Sequence, residues 1–281
     1  MKNLILRTCT GSVFIVLVVL SFILPNFYMF LLFLAISLAG LTEYFKLAKR
    51  SGGAPMTGIT YFLTFTVYAV LFAIQSRLLI IQSYTAFLLF ASIIFLLPIL
   101  ITPIIELYRN KKRGLLNIAL SYVPFFWIVI PLCLGTFWKT FDAPVVLAIF
   151  IIVWLSDSLA YCFGMLFGKR KLFERISPKK TWEGFILSLI STILLSSLFA
   201  KISYFHGEVF HTYLDWMGFA LVVIIFGTYG DLVQSMFKRT ANIKDCGKIL
   251  PGHGGILDRF DSFLFALPAG FVYWLLMILL N

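Results

Sequence analysis

The sequence is poor in charge for its length. Only 12% of its 281 residues are Asp, Glu, Lys or Arg, whereas 61% are hydrophobic. An average soluble domain has about twice that charged share and about 45–50% apolar residues. A soluble core of this length could not bury so much apolar surface, so lipid is the expected solvent for most of the chain.

The sequence also lacks the patterns typical of paired cysteines and of a cleavable leader. The four cysteines form no Cys-X-X-Cys pair, and three of them lie in or beside apolar runs, which argues against a disulfide framework and against a zinc site. Lys2 and Arg7 precede the first apolar run, but no small-residue cleavage pattern ends it. We therefore expect this run to remain as the first membrane span.

Most of the charge that is present is positive. There are 23 Lys and Arg against 12 Asp and Glu, which gives a net charge of +11. No basic domain lies outside the apolar runs to carry a nucleic-acid site. Basic loops beside anionic lipid are therefore the better interpretation.

Long apolar runs dominate the rest of the sequence. Nine of them approach the roughly 20 residues that a spanning helix needs. They cover residues 5–24, 27–47, 57–76, 79–103, 115–137, 143–166, 183–201, 214–236 and 262–280. The sequence thus predicts an all-α polytopic membrane protein, a bundle of about nine transmembrane helices. Counting the short first pair as one hairpin would leave eight.

The distribution of basic residues predicts the orientation. With nine spans, 20 Lys and Arg fall on one side of the membrane and three on the other. By the positive-inside rule, the N-terminus and the basic loops lie in the cytosol and the C-terminus lies outside. We expect an integral protein of the cell (inner) membrane. Residues 1–140 form a predicted scaffold, and residues 141–281 form a predicted catalytic region with cytosolic loops 167–182 and 237–261.

Acidic residues inside spans mark the catalytic region. Up to residue 150 the acids are Glu43, Glu106 and Asp142, all near span ends. Asp157 lies inside the sixth predicted span and Asp231 inside the eighth, where an ionised carboxylate costs about 2.5–3.5 kcal/mol or more. Interhelical hydrogen bonds would offset part of this cost. A shared polar cavity open to the cytosol is the favoured explanation.

Two loops carry the remaining polar chemistry. Ser177 to Thr181 lies directly before the seventh span, where Ser or Thr is expected to cap the start of the helix and Pro178 to suit its first turn. Free N–H groups at such a helix start attract phosphate, and two lysines add donors. After the eighth span, four of the nine residues from Gly247 to Gly255 are glycine, which lets backbone N–H groups approach an anion. Three roles are compatible with His253 in this loop: a general base, a hydrogen-bond donor to phosphate, or a turn residue without a chemical role.

Carboxylates and bases from distant positions are expected to meet at the cytosolic end of the bundle. Asp258 and Asp261 share a helix face at the start of the ninth span, where simple helix capping is an alternative role. The expected cluster comprises Asp157, Asp231, Asp258, Asp261, Lys179, Lys180, Lys238 and Arg239. So many carboxylates beside phosphate-binding bases suit Mg²⁺. The residues thus predict a phosphoryl or nucleotidyl transfer site without choosing its substrates.

The same residues carry a resemblance to the CDP-diacylglycerol synthase family, also called phosphatidate cytidylyltransferases. The 27-residue segment Ser235–Asp261 is similar to the family signature. Its matching positions are Ser235, Lys238, Arg239, Lys244, Asp245, Gly247, Pro251, His253, Gly254, Gly255, Asp258, Arg259 and Asp261. Asp157–Tyr161 with Gly164, and Ser177–Gly184, also look like the family. The first half resembles it only as a variable hydrophobic bundle.

The resemblance implies an activity and a set of site residues. It implies that the cytidylyl group of CTP is transferred to phosphatidate, giving CDP-diacylglycerol and pyrophosphate for phospholipid biosynthesis. Similar enzymes need Mg²⁺, with one or two cations on acidic residues. The expected catalytic residues are Asp231, Asp258, Lys238, Arg239 and His253, and the expected metal ligands are Asp231 and Asp258 with Asp157 and Asp261. The expected CTP and phosphate contacts are Ser177, Lys179, Lys180, Thr181, Glu183, Lys244, Gly254, Gly255 and Arg259.

Two other functions are compatible with parts of the sequence. A CTP-dependent kinase of a lipid alcohol would use similar phosphate chemistry, although the signature argues against it. Buried Asp157 and Asp231 would also suit an ion-coupled transporter, which predicts polar residues in the outer half of the spans. A homodimer is one candidate assembly.

Overall fold

The computed structural model describes residues 2–76, 84–205, 209–243, 245–247 and 254–280, with the backbone alone for residues 2–10 and 84–94. Its helices are α1 (Lys2–Ile23), α2 (Asn26–Arg50), α3 (Thr57–Gln75), α4 (Tyr84–Arg109), α5 (Gly114–Pro124), α6 (Ile130–Phe167), α7 (Trp182–Ser196), α8 (Tyr213–Thr240) and α9 (Leu257–Leu280). A π-helical turn, Phe125–Val129, joins α5 to α6, and two 3₁₀ turns, Ser197–Lys201 and Ser203–Phe205, follow α7.

Several of these helices can cross a membrane. In the described part of the chain, six helical stretches are long and apolar enough: Asn26–Arg50, Thr57–Gln75, Gly114–Phe167, Trp182–Lys201, Tyr213–Thr240 and Leu257–Leu280. A shorter apolar helix covers Gly11–Ile23. The predicted all-α polytopic class is confirmed. The count of nine spans stays a prediction.

The predicted fifth and sixth spans lie in one helical stretch with a bend. We expected a loop between residues 137 and 143, but the chain leaves helical geometry only at Asp142, with φ −149° and ψ 75°. Pro144 cannot supply a backbone N–H to the helix, which favours a break here. The Asp142 carboxylate accepts the N–H of Val145 at 3.3 Å and the indole N–H of Trp274 at 3.0 Å. These bonds cap the second part of the stretch.

The chain divides into two compact units. The first comprises Met1–Phe137 and Cys246–Ile256. Within it, the side chain of Asn117 accepts the N–H of Ala54 at 2.8 Å and donates to Glu106 at 2.6 Å, which fixes the turn-rich segment after α2. The predicted catalytic region included residues 246–256, whereas the structure groups this segment with the N-terminal helices.

The second unit comprises Trp138–Asp245 and Leu257–Asn281. Its helices α8 and α9 pack closely because α8 carries glycine where they meet. A Cβ at Gly230 would overlap the backbone oxygen of Asp261, and one at Gly227 would lie 3.7 Å from Ser262. Phe150 of α6 stacks on Phe263 of α9 with ring centroids 4.3 Å apart. This packing sets the positions of the carboxylates described below.

A small β-hairpin interrupts the helices of the second unit. Strands β1 (Lys171–Phe173) and β2 (Ser177–Thr181) pair in antiparallel fashion. The prediction that Pro178 lies in the first turn of a helix was wrong, because β2 is extended and α7 begins at Trp182. The predicted cap is confirmed at Thr181, whose hydroxyl accepts the N–H of Gly184 at 3.2 Å.

Candidate active site

A pocket of about 580 Å³ lies within the second unit, and most of the predicted carboxylates line it. Asp157 comes from α6, Asp231 from α8, and Asp258 and Asp261 from α9. Lysines from the hairpin complete the charged lining: Lys171, Lys179 and Lys180. Four separate elements of the sequence therefore place acidic and basic groups around one cavity, as the sequence predicted for the carboxylates.

Helices α8 and α9 bring two of these carboxyl groups into contact. Gly230 lets the α9 backbone at Asp261 approach, so the neighbouring Asp231 lies beside Asp261. The two side chains are hydrogen-bonded to each other, and the backbone N–H of Ser262 donates to Asp261 at 2.9 Å. Two carboxylates this close repel each other unless a proton or a cation lies between them.

Two lysines are paired with the carboxylates. Lys180 Nζ lies 2.6 Å from Asp231 Oδ2, and Lys238 Nζ lies 2.8 Å from Asp258 Oδ1. Burial lowers the pKa of Lys180, but the attraction of Asp231 and the hydrogen bond to it outweigh this effect, so the pKa is raised. Lys180 therefore carries a full positive charge at neutral pH. The structure thus assigns a definite partner to each of these predicted site residues.

Two other predicted site residues support the hairpin. Glu183 was expected to contact the nucleotide, yet its carboxylate accepts the backbone N–H groups of Lys169 at 3.0 Å and Arg170 at 3.1 Å. The Nε of Arg239 donates to the backbone oxygen of Ile176 at 3.3 Å. Both contacts hold the strands that carry the pocket lysines. A carboxylate is also a poor phosphate ligand, so positioning suits Glu183 better than direct binding.

The remaining predicted site residues fall in several places. Thr181 lines the pocket as the cap of α7, and Ser177 lies at the start of β2. Arg259 is exposed on α9, outside the pocket lining as the described residues define it. Gly254 and Gly255 belong to the first unit. His253 and Lys244 lie outside the described residues, so their predicted roles stay predictions.

Several lining residues escaped the sequence analysis. Lys171 was treated as one of many loop charges, because nothing local distinguishes it from its basic neighbours. Ser188 had a recognisable signal: Gly184, Ser188, Thr192 and Ser196 recur every four residues in an apolar helix, and all four are buried. Such a stripe of small residues marks the packed face of a membrane helix.

The donor set of the pocket fits a hard divalent cation. Carboxylate oxygens are the ligands that Mg²⁺ prefers, and four carboxylates line one cavity. In the described part of the chain, no group of three or more His, Cys, Asp or Glu is already arranged around a metal position. Asp231 and Asp258 are each paired with a lysine in this structure.

Fold and site together define a class of protein. A helical membrane protein whose pocket combines carboxylates with lysines is suited to bind phosphate groups. The chain belongs to the cytidylyltransferase family, whose family model matches residues 5–278. This finding confirms the resemblance that the signature carries.

Individual relatives agree with the family. Proteins of Staphylococcus aureus (strain COL) and Staphylococcus haemolyticus (strain JCSC1435), both named phosphatidate cytidylyltransferase, are 49% identical to this chain over 123 and 125 residues. A Staphylococcus epidermidis protein of the same name (strain ATCC 12228 / FDA PCI 1200) is 49% identical over 123 residues. Each match covers 44% of this chain and 46% of the relative, so the chain matches about half the length of these proteins.

Replacing Gly184 with alanine should disturb the α6–α7 contact beside the pocket. The added Cβ would lie 2.8 Å from the backbone oxygen of Ala160 and 3.0 Å from Gly164 Cα, and backbone atoms cannot turn aside. We expect a loss of about 1–3 kcal/mol in stability, read as a lower melting temperature in detergent. Gly58→Ala is the matched control because a Cβ there meets nothing within 4 Å. Equal melting temperatures for the two variants would contradict the assigned contact.

Proposed function

We propose that this protein transfers the cytidylyl group of CTP to phosphatidate, giving CDP-diacylglycerol and pyrophosphate for phospholipid biosynthesis. The family of the chain and the names of its relatives support this reaction. The observation that carries it is the pocket in which Asp157, Asp231, Asp258 and Asp261 meet Lys180 among apolar helices. A lipid phosphate needs such a boundary between apolar and charged surroundings, and the triphosphate of CTP needs the charged groups.

The residues of the pocket suggest how the reaction proceeds. An oxygen of the phosphatidate phosphate attacks the α-phosphorus of CTP in line, the bond to the β-phosphate oxygen breaks, and pyrophosphate leaves. A phosphomonoester is already ionised near pH 7, so no general base is required. His253 is therefore better suited to positioning than to proton transfer. Lys179 and Lys180 neutralise phosphate charge, including the charge that develops on the leaving group.

Mg²⁺ is the proposed cofactor. Asp231 and Asp258 would hold it, with Asp157 and Asp261 as further acidic neighbours and with one or two cations as the expected number. When bound, the cation withdraws charge from the α- and β-phosphates of the nucleotide. Lys180 and Lys238 would contact phosphate oxygens, which is a role that mobile ammonium groups fill well.

The proposed topology matches the origin of the two substrates. Nine spans with a cytosolic N-terminus place the pocket at the cytosolic face of the cell membrane, where CTP is available. The 20-to-3 division of basic residues supports this orientation. The acyl chains of phosphatidate remain among the apolar helices. A homodimer is compatible with this arrangement and stays a prediction.

Position-specific labelling of CTP tests the reaction. Purified protein in detergent is supplied with phosphatidate and with CTP labelled at either the α- or the γ-phosphate. We expect α-label in the lipid product and γ-label in pyrophosphate, with both signals lost in EDTA and restored by Mg²⁺. Lipid labelled from the γ position would mean phosphoryl transfer instead and would overturn the proposal. Full turnover in EDTA would show that the reaction needs no divalent cation.

A further inference from the structure

Two hydroxyl groups line the pocket of the second unit without a part in the proposed reaction. They belong to Thr228 of α8 and Ser262 of α9. Ser262 is only 4% exposed, and its Cβ lies 3.7 Å from the place where a Cβ at Gly227, the residue before Thr228, would stand. The close approach of α8 and α9 therefore brings both hydroxyl groups to the same part of the pocket.

In the described part of the chain, neither of these hydroxyl groups is hydrogen-bonded; the bond at Ser262 comes from its backbone N–H. Other serines of the pocket differ. Ser156 donates to the backbone oxygen of Val153 and Ser188 to that of Phe185, both at 2.9 Å. Donation to a carbonyl of the preceding turn is the usual bond for a helical serine or threonine. A donor without an acceptor is costly among apolar helices, so we expect a bound molecule to supply the acceptor.

Helices α8 and α9 run antiparallel. A Cβ at Gly230 would overlap the backbone oxygen of Asp261, and one at Gly218 would overlap the ring of Tyr273. The end of α8 therefore lies beside the start of α9. Both helices are long and apolar enough to cross a membrane, so positions further from these ends lie deeper in the span.

The two hydroxyl groups lie deeper than the carboxylates of the same helices. Thr228 precedes Asp231 by three residues, which is about 4.5 Å along the axis of α8. Ser262 follows Asp258 by four residues, which is about 6 Å along the axis of α9. The pocket thus has a charged level and, about one helical turn below it, a level with two hydroxyl donors.

The pocket also reaches the surface of α6. Tyr161 and Met165 line it, and they are 68% and 64% exposed. They lie in a helical stretch that is long and apolar enough to cross a membrane, where exposed apolar side chains face lipid. A lipid can therefore keep its acyl chains in the bilayer while its polar end lies in the pocket.

We propose that Thr228 and Ser262 recognise the ester groups of the lipid substrate, each donating a hydrogen bond to an ester carbonyl oxygen. The inference rests on the proposed function. In a diacyl lipid the ester carbonyls lie one glycerol unit from the phosphate, toward the acyl chains. They therefore meet the hydroxyl level when the phosphate lies at the charged level. A lipid phosphate with ether-linked chains has no carbonyl oxygen and leaves both donors unsatisfied, so these residues select ester-linked phosphatidate.

A comparison of two lipids tests this selection. Purified protein in detergent is supplied with α-labelled CTP and with either ester-linked phosphatidate or the analogue that carries chains of the same length in ether linkage. We expect the wild-type kcat/KM to be about tenfold or more higher for the ester-linked lipid. Equal values for the two lipids would show that the hydroxyl groups do not bind the esters, and would overturn the inference.

Substitutions then assign the selection to residues. Thr228→Val keeps the shape of the side chain and Ser262→Ala removes one atom; both should lower kcat/KM for the ester-linked lipid and leave it unchanged for the ether-linked one. Thr228→Ser retains a hydroxyl group and should retain the selection. The KM for CTP should stay at the wild-type value, whereas general damage to the pocket would raise it. Wild-type selection in both Thr228→Val and Ser262→Ala would contradict the assignment.

Thr192→Val is the matched control in the same unit. Thr192 of α7 is 0% exposed, and its hydroxyl group also has no partner among the described residues, but it lies outside the pocket lining that they define. This variant should select between the two lipids as the wild type does. Loss of selection in Thr192→Val as well would show that any buried hydroxyl group has this effect, and the inference would fail.

A binding measurement separates this inference from the proposed function. Without CTP, the ester-linked lipid should raise the melting temperature of the wild type more than the ether-linked lipid does, and the two lipids should act equally on Thr228→Val. A wild-type protein that transfers no α-label would refute the proposed function, while these melting temperatures would still test the ester contact. Equal shifts in the wild type would overturn the contact even if the transfer reaction occurs.

Discussion

Replacing Asp231 with asparagine should lower the rate of cytidylyl transfer by about 10³-fold or more, a loss typical of removing a central electrostatic group. Asparagine keeps the volume of the side chain but removes the charge that binds Lys180 at 2.6 Å and that would hold Mg²⁺. It also removes one of the two carboxyl groups that contact each other, those of Asp231 and Asp261. The measurement is the initial rate with α-labelled CTP across a titration of Mg²⁺.

Asp215→Asn is the control for this variant because it alters the same helix. Asp215 belongs to the capping box at the start of α8, where its carboxylate accepts the N–H of Thr212 at 2.7 Å. Asparagine can still accept this bond, so the rate should stay close to that of the wild type. Near-normal turnover of Asp231→Asn at saturating Mg²⁺ would show that the proposed metal assignment is wrong.

The second large effect is expected at Lys180. Methionine at this position keeps much of the side-chain length but removes the ammonium group, which lies in the pocket with its side chain 27% exposed. We expect the KM for CTP to rise about 10–100-fold, with a smaller effect on kcat, because phosphate binding loses a charge-assisted hydrogen bond. Initial rates over a range of CTP concentrations measure both constants.

The raised pKa of Lys180 also predicts how the KM for CTP depends on pH. A lysine whose pKa is raised by its partner contributes stability below its ordinary pKa, and this contribution is lost as the pH rises through the raised value. The KM for CTP of the wild type should therefore show no lysine titration between about pH 6 and pH 9. Arg175→Met, at an exposed position of the same hairpin, is the matched loss of one positive charge. An equal rise in the KM for CTP in both variants would show that Lys180 acts only through its contribution to the overall charge.

Local sequence patterns were sufficient for the fold class and for the carboxylates that line the pocket. Apolar runs predicted membrane helices because a spanning segment must satisfy its backbone internally and face lipid. Asp157 and Asp231 attracted attention because a carboxylate inside an apolar helix needs compensation. The cap at Thr181 was predictable for a similar reason, since helix ends need side-chain acceptors.

Other features had no local signal. The extended path of Ser177 to Thr181 depends on pairing with Lys171 to Phe173, which the helix-start pattern concealed. The bend at Asp142 depends partly on Trp274, which lies 132 positions away. The sequence predicted that Gly255 contacts phosphate, whereas the structure places the Glu43 carboxylate beside it.

By itself, the sequence determined that the chain is a helical membrane protein of this family and indicated the acidic groups that line its pocket, because composition and spacing carry those properties residue by residue. The tertiary structure decided which groups meet: Lys180 with Asp231, Lys238 with Asp258, and Glu43 with Ile256. The physical reason is that an ion pair or a close glycine contact depends on distances of a few ångströms between residues far apart in the chain. Helix packing sets those distances, and no local pattern encodes them.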